Sequence, residues 1–93
     1  MIQSFRCRET EKMFRRQYSS TFPREIQERA FQKLNALDAA VRLDDLRLPP
    51  SNRLERLKGD RAGQRSIRIN TQWRICFAWR DGGAWDVEIV DYH

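Results

Sequence analysis

The spacing of hydrophobic residues changes midway along the chain, from a period near four to a strict alternation. In the first half, "MIQSF" reads as a short strand. "ETEKMFRRQY" then places Met13, Phe14 and Tyr18 at helical spacing. "SSTFP" is a break, with Ser20 or Thr21 as N-cap and Pro23 in the first turn of a second helix. Along that helix Ile26, Ala30, Leu34, Leu37 and Val41 form an apolar stripe. Its outer face mixes Glu25, Glu28, Arg29 and Lys33 and reads as solvated. "LDDLRLPPSN" predicts a turn of helix followed by a Pro-Pro loop.

In the second half, "QRSIRI", "WRICFAWR" and "AWDVEIVDY" alternate as strands do, separated by "NTQ" and by the turn signal "DGG". "RLERLK" is a weaker fourth strand, because its alternation is poor. The expected fold is α+β, two N-terminal helices packed on an antiparallel sheet of about four to five strands. A register pairing Ile67 with Ile75, Ile75 with Ile89, Phe77 with Val87 and Trp79 with Trp85 puts the large apolar residues on one face. The other face then carries Ser66, Arg68, Arg74, Cys76, Ala78, Glu88, Val90 and Tyr92. Arg68 lies directly opposite Arg74, a like-charge pair that repels unless solvent or an anion intervenes.

Ninety-three residues suit one domain over residues 1–93, with 40% hydrophobic residues to build its core. No long apolar run reads as a signal peptide or membrane span, and the expected location is the cytoplasm. Cys7 and Cys76 are far apart, and with one histidine they form no metal-binding spacing, so neither metal nor cofactor is expected. The net charge of +5 is local. Residues 53–74 hold seven basic residues against two acidic ones, while the rest of the chain balances. Such a patch points to a polyanionic partner, and 15 of the 18 basic residues are arginine, whose planar fork matches phosphate.

The topology gathers Arg68, Arg74, Tyr92 and His93 at one end of the sheet, with Lys58 and Arg61 reaching it from the loop "LKGDRAGQ". This inventory suits phosphodiester cleavage in RNA. Histidine exchanges protons near neutral pH, cations stabilise the phosphorane, and tyrosine stacks on a base. A lone histidine at a chain end is usually an incidental exposed residue, so the residues alone leave the chemistry open.

"LKGDRAGQRSIRINTQWRICF" followed by "VDYH" resembles the HigB branch of the RelE/ParE-type toxins of bacterial toxin–antitoxin pairs. "MIQSF", "LDAA", "DL" and "PPSNRLE" extend the likeness along the chain and bring it nearest the GraT-like variant. The resemblance implies a RelE-like microbial RNase fold and a toxin that cuts mRNA in the ribosomal A site. It also implies a HigA-type helix-turn-helix antitoxin, through which alone the toxin would meet operator DNA. By the resemblance, Lys58 and Arg74 hold and neutralise the scissile phosphate, and Asp91, Tyr92 and His93 are needed for cleavage. Arg61 and Arg68, with Arg56 and Arg65, would contact RNA or ribosome. One departure is Glu55 in "LERLKGD", where typical members carry histidine. Wider relatives such as YoeB use a glutamate base with a histidine acid; either Glu55 and His93 reproduce that division, or Glu55 only salt-bridges a nearby arginine and activity is weak. The competing reading is a non-catalytic basic module that binds nucleic acid or ribosome and acts with its antitoxin in operon repression.

Overall fold

A computed structural model describes residues 1–92, and His93 lies outside the described residues. Two helices, α1 (Arg8–Phe14) and α2 (Gln27–Ala39), precede four strands, β1 (Glu55–Arg56), β2 (Gln64–Arg68), β3 (Trp73–Arg80) and β4 (Gly83–Asp91). The strands form one antiparallel sheet in chain order. Met13 of α1 and Ala30, Leu34 and Leu37 of α2 join Ile67, Ile75, Phe77 and Val87 of the sheet in one buried cluster. No helix among the described residues is long and apolar enough to cross a membrane.

Both helices stop earlier than their apolar spacing predicts. The α1 helix ends at Phe14, and Arg16 takes a left-handed φ of 58°, which leaves Tyr18 exposed. The α2 helix ends at Ala39 because Ala40 is extended, so Val41 also faces solvent. Neither Ser20 nor Thr21 caps α2. The chain enters it through a 3-10 turn, Arg24–Ile26, that follows Pro23 without a side-chain cap. The side chain of Gln27 reaches back instead, and its Nε2 donates to the Ser19 carbonyl at 3.0 Å. The buried Ser19 hydroxyl donates to Glu9 at 2.6 Å, tying the interhelix segment to α1.

The central register agrees with the alternation, with Ile67 opposite Ile75, Arg68 opposite Arg74, and Ile75 opposite Ile89. Nearer the hairpin the expected pairing fails. A bulge between Cys76 and Ala78 places Ala78 opposite Trp85 and Trp79 opposite Ala84. Asp86 carries the extra residue with a left-handed φ of 54°. Trp85 therefore leaves the face of Trp79 and lies under Arg80, whose Cζ sits 4.4 Å from the ring centroid. The turn itself has positive φ at Asp81 and Gly82, 53° and 72°, the geometry of a two-residue hairpin loop.

"MIQSF" does not form a regular fifth strand. It lies parallel to β4 with isolated bridges from Ile2 to Ala84 and from Phe5 to Val87. It nevertheless covers the outer edge of β4. Ala84 N–H donates to the Met1 carbonyl, Val87 N–H to the Ser4 carbonyl, and Asp86 N–H to the Ser4 hydroxyl. Gly83 permits this approach, because a Cβ there would meet Gln3 Cγ at 2.9 Å. Farther along the edge, Ile89 N–H donates to the hydroxyl oxygen of fully buried Thr10, at 2.9 Å. Thr10→Val leaves that N–H without an acceptor and is expected to lower the unfolding free energy by about 1–3 kcal/mol. Thr10→Ser keeps the oxygen and should lose about 0.8 kcal/mol for the buried methyl. Urea unfolding checks both, and equal midpoints for Thr10→Val and the parent would show that this bond adds no stability.

Candidate functional site

Strand alternation brings Ser66, Arg74 and Cys76 to one face, and all three are buried there, Arg74 at only 7% exposure. A guanidinium so far from water needs acceptors on several sides. Arg74 Nε donates to Ser66 Oγ at 2.8 Å, and Nη2 donates to the Arg53 carbonyl at 2.6 Å. Arg53 adopts a left-handed φ of 45° just after the Pro50–Asn52 turn. The remaining nitrogen, Nη1, lies 3.7 Å from Glu55 Oε1, an ion pair too long for a hydrogen bond. Glu55 is placed there because β1 pairs it with Ser66. The Tyr92 ring lies 5.6 Å from Arg74 Cζ, within cation–π range.

A second charged pair lies on the same face. Glu88 is opposite Cys76, and its Oε1 meets Arg61 Nη2 at 2.7 Å. Arg61 Nη1 also donates to Gln64 Oε1 at 3.1 Å, and Arg6 approaches Glu88 at 3.8 Å. The hydrogen bond to Glu88 is the main reason the Arg61 pKa is raised, so that guanidinium stays charged. Burial pushes the Cys76 thiol up, with Arg61 and Arg74 only partly opposing it. Cys76 is therefore a neutral packing residue and not a thiolate nucleophile.

The other expected site residues are distributed unevenly. Lys58 is exposed at the start of the Gly59–Arg61 turn, beside Arg61 in sequence. Asp91 accepts from Gln72 Nε2 at 3.2 Å and pairs with Trp73 across the sheet, on the parity opposite Arg74. Arg56 and Arg65 are opposite one another, and Arg65 also faces Phe77, so both alternate away from the Arg74 face. Arg68 is opposite Arg74 in register, yet the two guanidinia diverge. Arg68 Nε donates to the Asn70 carbonyl at 3.0 Å, and its side chain lines a separate cavity. His93 lies outside the described residues.

Three supports lie outside the expected site residues, namely Ser66, the Arg53 carbonyl and Glu88. Ser66 and Glu88 had a signal, since both share the parity of Arg74 and Cys76. The Arg53 carbonyl had none, because backbone direction in a loop leaves no trace in side-chain pattern. Among the described residues, no group of three or more His, Cys, Asp or Glu is placed to hold a metal ion. What the face offers instead is one fixed guanidinium with one nitrogen free of hydrogen bonds among the described residues, a nearby carboxylate, and the further cations Arg61 and Lys58.

The family model described as RelE-like toxin of type II toxin–antitoxin system HigB matches residues 3–93. Toxin HigB-1 of Vibrio cholerae serotype O1 is 50% identical over 62 residues, 67% of this chain and 65% of that protein. The match to this relative thus spans less than two thirds of its length. Endoribonuclease HigB of Proteus vulgaris is 33% identical over 93 residues, covering both chains completely. Among solved structures, a YoeB-YefM complex from Staphylococcus aureus matches with a TM-score of 0.61 and 18% identity. That match covers 100% of this chain and 98% of the other and shows a shared fold.

The burial of Cys76 makes a direct prediction about thiol chemistry. In the folded protein a disulfide reagent at mildly alkaline pH should label the half-buried Cys7 and leave Cys76 unmodified. Because its pKa is raised, Cys76 should also need a higher pH than an ordinary thiol once it is reached. Peptide mass mapping reads out the labelled residue. Rapid native-state labelling of Cys76 contradicts the packing described.

Proposed function

The chain belongs to the HigB-like family, RelE-like toxins of type II toxin–antitoxin systems, and on that footing we propose that it is an endoribonuclease that cuts mRNA in the ribosomal A site. One observation carries this reading beyond kinship. Arg74 is held by Ser66 and the Arg53 carbonyl, while its Nη1 is left toward Glu55 without a hydrogen bond. A phosphate oxygen takes that open donor. Holding the guanidinium before substrate arrives avoids reorganisation during the reaction.

In the proposed reaction the 2′-oxygen attacks phosphorus and the bond to the 5′-oxygen breaks, giving a 2′,3′-cyclic phosphate and a 5′-hydroxyl. Glu55 takes the 2′-hydroxyl proton, and His93 gives a proton to the departing 5′-oxygen. Arg74 and Lys58 neutralise charge on the phosphorane. Tyr92 stacks against a base beside Arg74, and Asp91 supports the strand end that carries Tyr92 and His93. Arg61, oriented by Glu88, lies along the RNA path. Arg56 and Arg65, on the other parity, suit ribosomal contacts away from the scissile bond. The partner that silences the protein is a HigA-type helix-turn-helix antitoxin, and contact with operator DNA runs through it. The setting is the cytoplasm, with residues 1–93 acting as one toxin domain.

Toeprinting of a defined mRNA on assembled ribosomes tests this reading. Arg74→Lys keeps the charge but cannot span Ser66, the Arg53 carbonyl and a phosphate together, so cleavage should fall about 10²–10³-fold. Glu55→Gln should lower cleavage about 10²–10⁴-fold if the carboxylate is the base. Circular dichroism confirms that each variant is folded. Absence of ribosome-dependent cutting by the folded parent protein would return the chain to the non-catalytic binding reading.

A further inference from the structure

Several cations among the described residues meet a carboxylate. Arg15 pairs with Glu11, Arg16 with Glu28, Arg47 with Asp44, Arg61 with Glu88 and Arg74 with Glu55. A different arrangement surrounds a cavity of about 380 Å³ between α2 and the β2–β3 connection. Arg29, Lys33 and Arg68 line it together with Ser51, Asn70 and Thr71, and among the described residues no acidic one does. Arg29 and Lys33 are one helical turn apart, where like charges repel. Each of the three cations is held by a neutral oxygen. Arg29 Nη1 donates to the Ile69 carbonyl at 3.4 Å, Arg68 Nε to the Asn70 carbonyl at 3.0 Å, and Lys33 Nζ to Asn52 Oδ1. Asn52 is fully buried and is itself fixed by donating to the Leu46 and Leu48 carbonyls, both at 3.2 Å. The ammonium is thus positioned by a rigid amide that leaves its charge unbalanced. Burial and the nearby Arg29 lower the Lys33 pKa, as expected for a cation without its counter-ion.

We propose that this cavity is a second phosphate-binding site, distinct from the Arg74 face, that holds a backbone phosphate of RNA. The proposal rests on the reading of the protein as an RNA-cutting toxin for the identity of the polyanion. Continuity with that face comes from Arg68, which is directly opposite Arg74 across β2 and β3 while its side chain turns into the cavity. Because α2 packs on the apolar face of the sheet, a strand with one phosphate at Arg74 would reach Arg29 and Lys33 by passing the sheet end at Arg68. Ser51 and Thr71 at the rim add hydroxyl donors.

Two arms separate this site from the catalytic reading. In the first, isotope-labelled protein is titrated with inorganic phosphate and followed by NMR. The Asn70 and Thr71 amide signals should shift, and the shift should vanish in the double variant R29Q/K33Q. Arg29→Gln alone, at an exposed position that leaves the Lys33–Asn52 bond intact, should weaken it and guards against misfolding of the double variant. In the second arm, binding of a 2′-O-methyl oligoribonucleotide, which cannot be cut, is measured across salt concentrations. The double variant should lower the slope of log affinity against log salt by about 0.7 for one lost phosphate contact. Arg47→Gln, which removes a cation elsewhere, should leave the slope unchanged. Unmoved Asn70 and Thr71 signals in the parent protein, or an unchanged slope in R29Q/K33Q, overturns the site whether or not the protein cuts mRNA. Loss of affinity only for an acidic antitoxin peptide also overturns it, by assigning the cavity to a protein partner. Failure of the catalytic reading is seen separately, as absent ribosome-dependent cleavage with phosphate binding intact.

Discussion

Burying the Arg74 guanidinium is the constraint from which the arrangement of the sheet face follows. An uncompensated charge removed from water costs several kcal/mol, and removing one partner of a buried pair costs about 3–5 kcal/mol. The protein meets that demand with a serine from β2, a backbone carbonyl from the loop before β1, and a carboxylate on β1. Those two acceptors and the carboxylate come from separate stretches of chain, so satisfying one side chain fixes all of them relative to one another. Arg53 holds a left-handed conformation of the kind that costs on the order of 1–3 kcal/mol. Its carbonyl bond to Arg74 is an evident compensation. The two-residue strand β1 has little pairing of its own, and the same cluster gives it an anchor.

On the opposite face the requirement is apolar continuity with the helices. Strict alternation meets it through Ile67, Ile75, Phe77 and Ile89, and the bulge at Asp86 then shifts the remaining residues of β4 by one. Fully buried Ala84, and not Trp85, ends up against Trp79. The exchange puts a small residue where the N-terminal segment approaches the sheet edge and releases a large indole to cover Arg80. A regular strand would have set two tryptophans face to face at the same point.

The parts of this arrangement that were legible in the sequence are those governed by periodicity. The central register, the Arg68–Arg74 opposition and the buried stripe Ile26, Ala30, Leu34 and Leu37 all follow from spacing alone. The same logic overextended α2 to Val41 and paired Trp79 with Trp85, because a helix end and a bulge each break the period at a single residue. Arg29 is exposed, as the helical spacing predicts, but that spacing alone does not reveal the loop from residues 69–71 beside it and Lys33. Glu88 is visible by parity and Arg61 by its loop, but the pairing of the two is not, because the direction of the glycine-containing turn leaves no trace in the pattern. Convergence of loop groups on a sheet face depends on backbone direction, which residue type only weakly specifies.

The parallel bridges from Ile2 and Phe5 to Ala84 and Val87 bear on the order in which the molecule is made. A chain emerging from its own ribosome presents residues 1–6 long before the strand they cover exists. The bonds from β4 to Met1, Ser4 and Thr10 span nearly the whole sequence, so they carry a large loop-closure cost and form late. A nascent chain halted before β4 would carry both helices without the strand that supplies Ile89 and Glu88. The sheet face around Arg74 and Cys76 would then lack its neighbour on one side, and native packing of that face would await synthesis of β4.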